Sequence, residues 1–218
     1  MTSVSSPADD HRTTGGWVDT VAAVLLALAA VATAWSSYQA SRWSGEQAKA
    51  FSTANAARVE ATQASNLANT QKEVDVDVFT QWVDAYLNDD HKVQEFYEHR
   101  FRDEFEPAFS AWLKEDPFTS HSAPESPFAM PQYVVAAEEQ AKALTVTADA
   151  SAESARVYVQ RATNYVLGVV LFAVALFFAG VSPKLSRPRL RISILAIGIV
   201  IFVVSAIWIA TFPVSISI

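Results

Sequence analysis

The chain has 218 residues, 51% of them hydrophobic and only 18% charged, with a formal net charge of −7 and no cysteine. Without thiols there are no disulfides, thiolate zinc sites, iron–sulfur ligands or cysteine nucleophiles, and the acidic balance argues against nucleic acid as a partner. The 6 glycines form neither a GxGxxG nor a GxxxxGK[ST] pattern, so no phosphate-cradling loop, and no cofactor, is expected.

The apolar residues fall into three runs around a polar middle, which is the pattern of an all-α membrane protein rather than of a large soluble core. After a tail at 1–16, the first run covers 17–38. Trp17 and Trp35 lie 18 residues apart, about 27 Å along a helix at about 1.5 Å per residue. That fits a hydrocarbon core of roughly 30 Å with a Trp at each interface. The same run has a second reading as a cleavable signal, because Ala32-Thr33-Ala34 fits the small-x-small cleavage pattern. Against it, the residues ahead of the run hold one Arg and two Asp, a poor basic region, and small residues continue past Ala34 at helical spacing. The second run, 165–181, is near the lower length limit and is expected to stand nearly upright. The third, 192–212, carries no charge.

The direction of these spans follows from the connection 182–191, which holds Lys184, Arg187, Arg189 and Arg191 and no acidic residue. A short loop this basic stays in the cytoplasm. Alternation then places the N-terminus inside, and 39–164 and the tail 213–218 outside. Long domains cross largely regardless of their charge. The balance of 20 acidic against 11 basic residues over 37–163 is compatible with export.

The middle segment reads as helical. No Pro or Gly occurs over 46–106 or 132–167, and most of the breakers gather in a Pro-rich loop at 116–131. Span one is expected to continue as one helix to about Asn69, with Gly45 its weak point, and a second helix to lead from the loop into span two. Ala50, Ala54, Ala57, Ala61, Ala64 and Ala68 follow one another at alternating steps of four and three, a heptad seam made of alanine. Ala137, Ala141, Leu144, Ala148, Ser151, Ala155, Tyr158 and Ala162 repeat the pattern. Small seam residues let two helices approach closer than the usual 8–10 Å. The predicted architecture is therefore an antiparallel helical hairpin between spans one and two. Two other accounts of the stripe are that alanine is the best helix former and that the seam faces another subunit. Large side chains from Val78 to Leu113, among them Phe79, Trp82, Leu87, Val93, Phe96, Phe101, Phe105, Phe109 and Trp112, predict a small helical cap that buries them. Asn88-Asp89-Asp90 reads as the turn and N-cap before a helix at His91.

Chemistry is sparse. His91, Glu95 and His99 share a helical spacing of four and form the one weak metal-ligand candidate. They lack the H-E-x-x-H pattern and spread over more than two turns, so an ordinary solvated face is the stronger reading. Asp103, Glu104, Glu106, Glu115 and Asp116 read as a cation-attracting rim, a partner surface, or simply solvated charge. No serine stands in a G-x-S-x-G or S-x-x-K frame. The spans carry no ionisable residue except Asp19, and proton-coupled transporters need buried charges, so a monomeric transporter is not expected. Span one instead has Ala23, Ala27, Ala30 and Ala34 at four-three spacing, continued by Ser37, Ser41, Ser44 and Ala48, a small-residue face of the kind used for helix packing in membranes. Span three reads as lipid-facing nearly all round.

The stretch AWSSYQASRWSGEQAKAFSTANAARVEATQAS after span one, with YVLGVVLFAVALFFAGVSPKLSRPRLR and IATFP near the end, resembles a group of uncharacterised bacterial three-span membrane proteins. These are similar in layout to a wider family carrying a domain of unknown function. The resemblance implies one N-terminal span, an alanine-rich helical middle, a C-terminal pair of spans joined by a short basic loop, and a bacterial plasma (inner) membrane. It implies no activity, cofactor or catalytic residue. The expected function is a non-enzymatic membrane assembly, a homo-oligomeric scaffold or pore in the lipid bilayer. The alternative is an extracytoplasmic sensor or binding module acting through an unidentified membrane partner.

Overall fold

The computed structural model describes residues 13–215; most of the expected tail at 1–16, and residues 216–218, lie outside them. Among the described residues there are five α-helices and no strand: α1 Thr13–Leu87, α2 His91–Glu98, α3 Glu106–Leu113, α4 Ala136–Val181 and α5 Pro188–Ala210. α1, α4 and α5 are each long and apolar enough to cross a membrane.

α1 runs about five turns beyond the expected end near Asn69. No breaker interrupts it, and its buried positions continue at heptad spacing through Ala68, Asp75, Trp82 and Ala85. It stops where Asp89 adopts a left-handed φ of 54°, a conformation Asp tolerates better than most residues. The Asp90 carboxylate then accepts from the Val93 amide at 3.2 Å and caps α2. A Cβ added at Gly45 would meet nothing within 4 Å. Gly45→Ala is therefore expected to stabilise the fold by about 0.5–1 kcal/mol, seen as a higher thermal midpoint in helical circular dichroism. A lower midpoint would mean that the glycine serves a contact or a bend.

The chain divides into two compact units. The first takes Met1–Phe51 and Glu153–Ile218. Val18, Ala22 and Leu25 of α1 cluster with Ala179 of α4 and Leu195 of α5. Nearer the other end of the helices, Ala40 and Trp43 cluster with Ala162, Tyr165, Phe172 and Ile209. α4 and α5 touch closely at Gly198, where an added Cβ would lie 3.1 Å from Cβ of Phe178 and 3.4 Å from the Ala175 carbonyl oxygen. α5 is not apolar surface all round: Leu195, Gly198, Ser205 and Ile209 form a buried stripe, while Val200, Val204 and Ile207 stay exposed. Pro188 opens α5, a position where its missing N–H costs nothing. Arg189 and Arg191 therefore belong to the helix, and the irregular connection is shorter than 182–191. Ser182 Oγ donates to the Arg191 carbonyl at 3.0 Å, and the Arg191 guanidinium pairs with Asp19. At the opposite end Tyr165 OH donates to the Pro213 carbonyl at 3.3 Å, and the Ser215 amide donates to Gln39 Oε1 at 3.0 Å.

The second unit is Ser52–Ala152. Ala54, Ala57, Ala61, Ala64 and Ala68 of α1 are buried, as are Ala137 and Ala148 of α4. Ala68 packs with Val135 and Ala137. An open groove of about 790 Å³ runs beside the seam, lined by Ala61, Thr62 and Ser65 and by Ala141, Thr145 and Ala148. The cap buries Trp82, Phe105, Phe109 and Trp112, with Phe79, Phe101, Phe128 and Tyr133 against them. Phe79 meets Phe105, Phe109, Trp112 and Phe128 edge to face, the arrangement that ring quadrupoles favour. Both buried indoles find acceptors, Trp82 at Glu98 Oε1 (2.9 Å) and Trp112 at the Pro124 carbonyl (2.8 Å). Leu87, Val93 and Phe96 do not join this core and are exposed. α2 keeps His91, Lys92, Val93 and Glu95 toward solvent, and Phe96 packs under the Arg100 guanidinium at 3.5 Å.

Candidate functional site

The most concentrated polar chemistry is a buried cluster beneath the cap. The α1 heptad places Asp75 one full repeat after Ala68 and one before Trp82, so its carboxylate is carried into the core, with its side chain 1% exposed. An isolated ionised carboxylate there would cost several kcal/mol. Two groups offset that cost. Arg102, in the turn between α2 and α3, donates Nη1 to Asp75 Oδ2 at 2.7 Å. Tyr133, just ahead of α4, donates its hydroxyl to the same oxygen at 3.0 Å. The second Arg102 nitrogen pairs with Glu104. Burial pushes the Asp75 carboxyl above its ordinary range, against the opposing pull of the Tyr133 hydroxyl and the Arg102 charge. Burial, and next the Asp75 charge, raises the Tyr133 phenol.

The cluster ties three segments that are distant in sequence: α1, the turn before α3 and the approach to α4. Asp75 Oδ2 is engaged twice, and no serine, lysine or histidine bonds to it among the described residues. Two donors on one carboxylate oxygen hold these segments together. Beside it, Lys72 pairs with Glu138, and the hydrogen bonds from Lys72 and Lys142 hold the Glu138 carboxyl below its usual range.

The residues singled out from sequence are placed as follows. His91 opens α2, Glu95 lies within it, and His99 lies just past its end as the C-cap, with Nδ1 2.7 Å from the Glu95 carbonyl oxygen. The His99 amide still donates to the Glu95 carbonyl at 3.2 Å, so the three stand at successive turns of α2 and its C-cap, and all three are exposed. Among the described residues no group of three His, Cys, Asp or Glu side chains is placed to hold a metal ion. Of the acidic run, Glu104 is drawn to Arg102, while Asp103 and Glu106 are exposed. Ala50 is half-buried. Ala23, Ala27, Ala30 and Ala34 are all exposed, and α1 turns Val18, Ala22, Leu25, Ala29 and Ser36 inward instead. Lys184, Arg187 and Arg189 are exposed, whereas Arg191 is half-buried against Asp19.

Sequence reasoning passed over Asp75, Arg102 and Tyr133. The signal for Asp75 was available, as a carboxylate standing in the register of the alanine seam. Arg102 and Tyr133 gave none, since their positions depend on how the cap closes. What fold and site define is a helical protein with three candidate membrane spans and an aromatic cap pinned by a buried ion pair. Compared with protein-family models, curated proteins and solved structures, the chain matches none.

Proposed function

We propose that the chain is a multi-pass plasma-membrane protein working as a non-enzymatic homo-oligomeric assembly, a scaffold or pore. In this reading the N-terminus is cytoplasmic, and 39–164 form an extracytoplasmic antiparallel hairpin with its cap. The observation that carries it is the exposure of Ala23, Ala27, Ala30 and Ala34. A small-residue stripe that the chain's own helices leave uncovered is the surface by which span one packs against a second copy in a bilayer. The Arg191–Asp19 pair supports the topology, because it puts the basic connection at the same end as the start of span one.

Two measurements test the reading. Ala27→Cys should give disulfide-linked chains in native membranes, and a lone 23.8 kDa band under oxidising conditions at every expression level would sink the assembly. Ser120→Cys should react with an impermeant thiol reagent added outside intact cells and Ser186→Cys should not; the reverse pattern overturns the orientation.

One feature favours the alternative, a binding module with a partner subunit. A groove of about 340 Å³ on the cap is lined by Trp82, Tyr86 and Phe118, with Glu98 and Asp116 beside the rings. Under that reading, cross-linking of native membranes yields a complex with a different protein, and Ala27→Cys yields no homodimer.

A further inference from the structure

The first unit contains a cavity of about 230 Å³ between α1, α4, α5 and the residues after α5. Its walls are apolar, formed by Ala32, Trp35, Phe172, Ala206, Ile209 and Phe212. It is half again as large as the roughly 150 Å³ apolar cavity that stays dry and takes up a benzene ring. Ser36 and Tyr165 also line it; the Tyr165 hydroxyl donates to the Pro213 carbonyl, whereas Ser36 is 0% exposed and its Oγ has no hydrogen-bond partner among the described residues. One turn further along α1, Gln39 is equally buried. Its Oε1 accepts from the Ser215 amide, but its Nε2 has no partner either.

Buried polar atoms are rarely left unpaired, because a group taken out of water without a partner keeps its whole desolvation penalty. Gln39 Nε2 can only donate, but Gln39 stands one turn beyond the residues that line the cavity. The Ser36 hydroxyl does line it and can donate to an acceptor seated in the slot. An apolar slot with one unsatisfied hydroxyl at its edge calls for an alkyl chain bearing an uncharged acceptor, and Trp35 and Tyr165 mark this end of the spans as the interfacial level of the bilayer. Ester carbonyls of membrane lipids occupy that level, with their chains running inward.

We propose that this cavity is a binding site for one acyl chain of a membrane lipid, with the ester carbonyl accepting from Ser36 Oγ. The proposal rests on the membrane reading above, and its test is run on detergent-purified full-length protein so that the two can fail separately. The probe is a diazirine-bearing fatty-acid methyl ester. Labelling should saturate at one probe per chain and map to residues 32–36 and 206–214. The matching alkane, lacking the ester, should label about tenfold more weakly, the ratio that about 1.4 kcal/mol of hydrogen bonding gives.

Ala206→Leu, which fills the cavity, should cut labelling at least about tenfold. Ala196→Leu, the same change at an exposed position of α5, should leave it unchanged, and helical content and thermal midpoint establish that both variants fold. Labelling that never saturates, that spreads over exposed residues such as Val170 and Val203, or that survives Ala206→Leu overturns the proposal. So does equal labelling by ester and alkane, or labelling of 32–36 lost on dimerisation because a second copy fills the slot. Carbonate extraction of native membranes tests the membrane reading alone: release of the chain into the soluble fraction sinks that reading whatever the probe does.

Discussion

Arg102→Ala is expected to destabilise the protein by about 3–5 kcal/mol at neutral pH, and to lose most of that penalty in acid. The reason is what the substitution leaves behind. Asp75 is almost inaccessible, and without Arg102 its charge keeps only the Tyr133 hydroxyl at 3.0 Å. Removing one partner of a buried pair costs far more than the pair itself contributes, because an uncompensated charge remains in the core. The pH dependence follows from linkage. In the native protein burial raises the Asp75 carboxyl above its ordinary pKa of 3.8, while Tyr133 and Arg102 oppose the rise. A carboxyl raised by folding contributes stability that is present below its unfolded pKa and is lost as pH climbs through the folded value. Deleting Arg102 removes one of the opposing influences, so the folded value climbs further and the loss at neutral pH deepens. Unfolding followed at about pH 7 and about pH 4.5 should show the gap between variant and native protein narrowing in acid. A gap that stays constant would mean that Arg102 acts only by packing. Asp75→Asn combined with Arg102→Ala provides the matching control, since a neutral amide leaves no charge to strand and should recover much of the loss at neutral pH.

How much of this could be read from the residues differs between elements. Hydropathy alone locates the three apolar helices, and Asn88-Asp89-Asp90 reads correctly as the turn and N-cap before α2, with Asp90 as the cap, although the end of α1 is expected about five turns too early, near Asn69. The extent of α1 beyond Asn69 was written in the same seam that predicts its start, but the change from alanine to aromatic residues at Phe79 suggests a new element where none begins. The inward face of span one was legible as well, along a different line from the one that composition suggests. Extending the Ala50–Ala68 heptad upstream passes through Trp43, Ala40, Ser36, Ala29 and Ala22, all of them buried. The stripe Ala23, Ala27, Ala30 and Ala34 runs beside it on another face, and a helix this rich in alanine offers both registers to the eye. The buried clamp is harder. Asp75 stands 27 residues from Arg102 and 58 from Tyr133, and only closure of the aromatic cap brings them together. Side chains of this kind acquire meaning from topology, which local periodicity does not carry.

Ala68→Leu is expected to destabilise the second unit by about 1–3 kcal/mol, the usual penalty for forcing extra methylenes into a close contact. Ala68 is 2% exposed and packs against Val135 and Ala137 where α4 begins. A leucine there must push α4 outward or adopt a poor rotamer, and either response also strains the neighbouring Lys72–Glu138 pair and the approach that carries Tyr133 to Asp75. Ala61 is a poorer place to test the seam although it is buried, because it borders the open groove beside the helices, and a leucine can lean into that space. Val59, at 57% exposure, supplies the control: Val59→Leu changes volume and helix propensity without meeting a partner, and should shift stability by no more than about 0.5 kcal/mol. Leucine is nearly as good a helix former as alanine, so if the alanines served helix propensity alone, Ala68→Leu would match Val59→Leu in thermal unfolding. Equal midpoints for the two would remove the close-packing account of the seam. A lower midpoint for Ala68→Leu alone places the cost at the contact with Val135 and Ala137, and Ala68→Gly then separates crowding from helix propensity. Gly there relieves the contact yet still costs about 1 kcal/mol through its freedom in the unfolded chain, so it should fall below the native protein, by a loss that needs no displacement of α4.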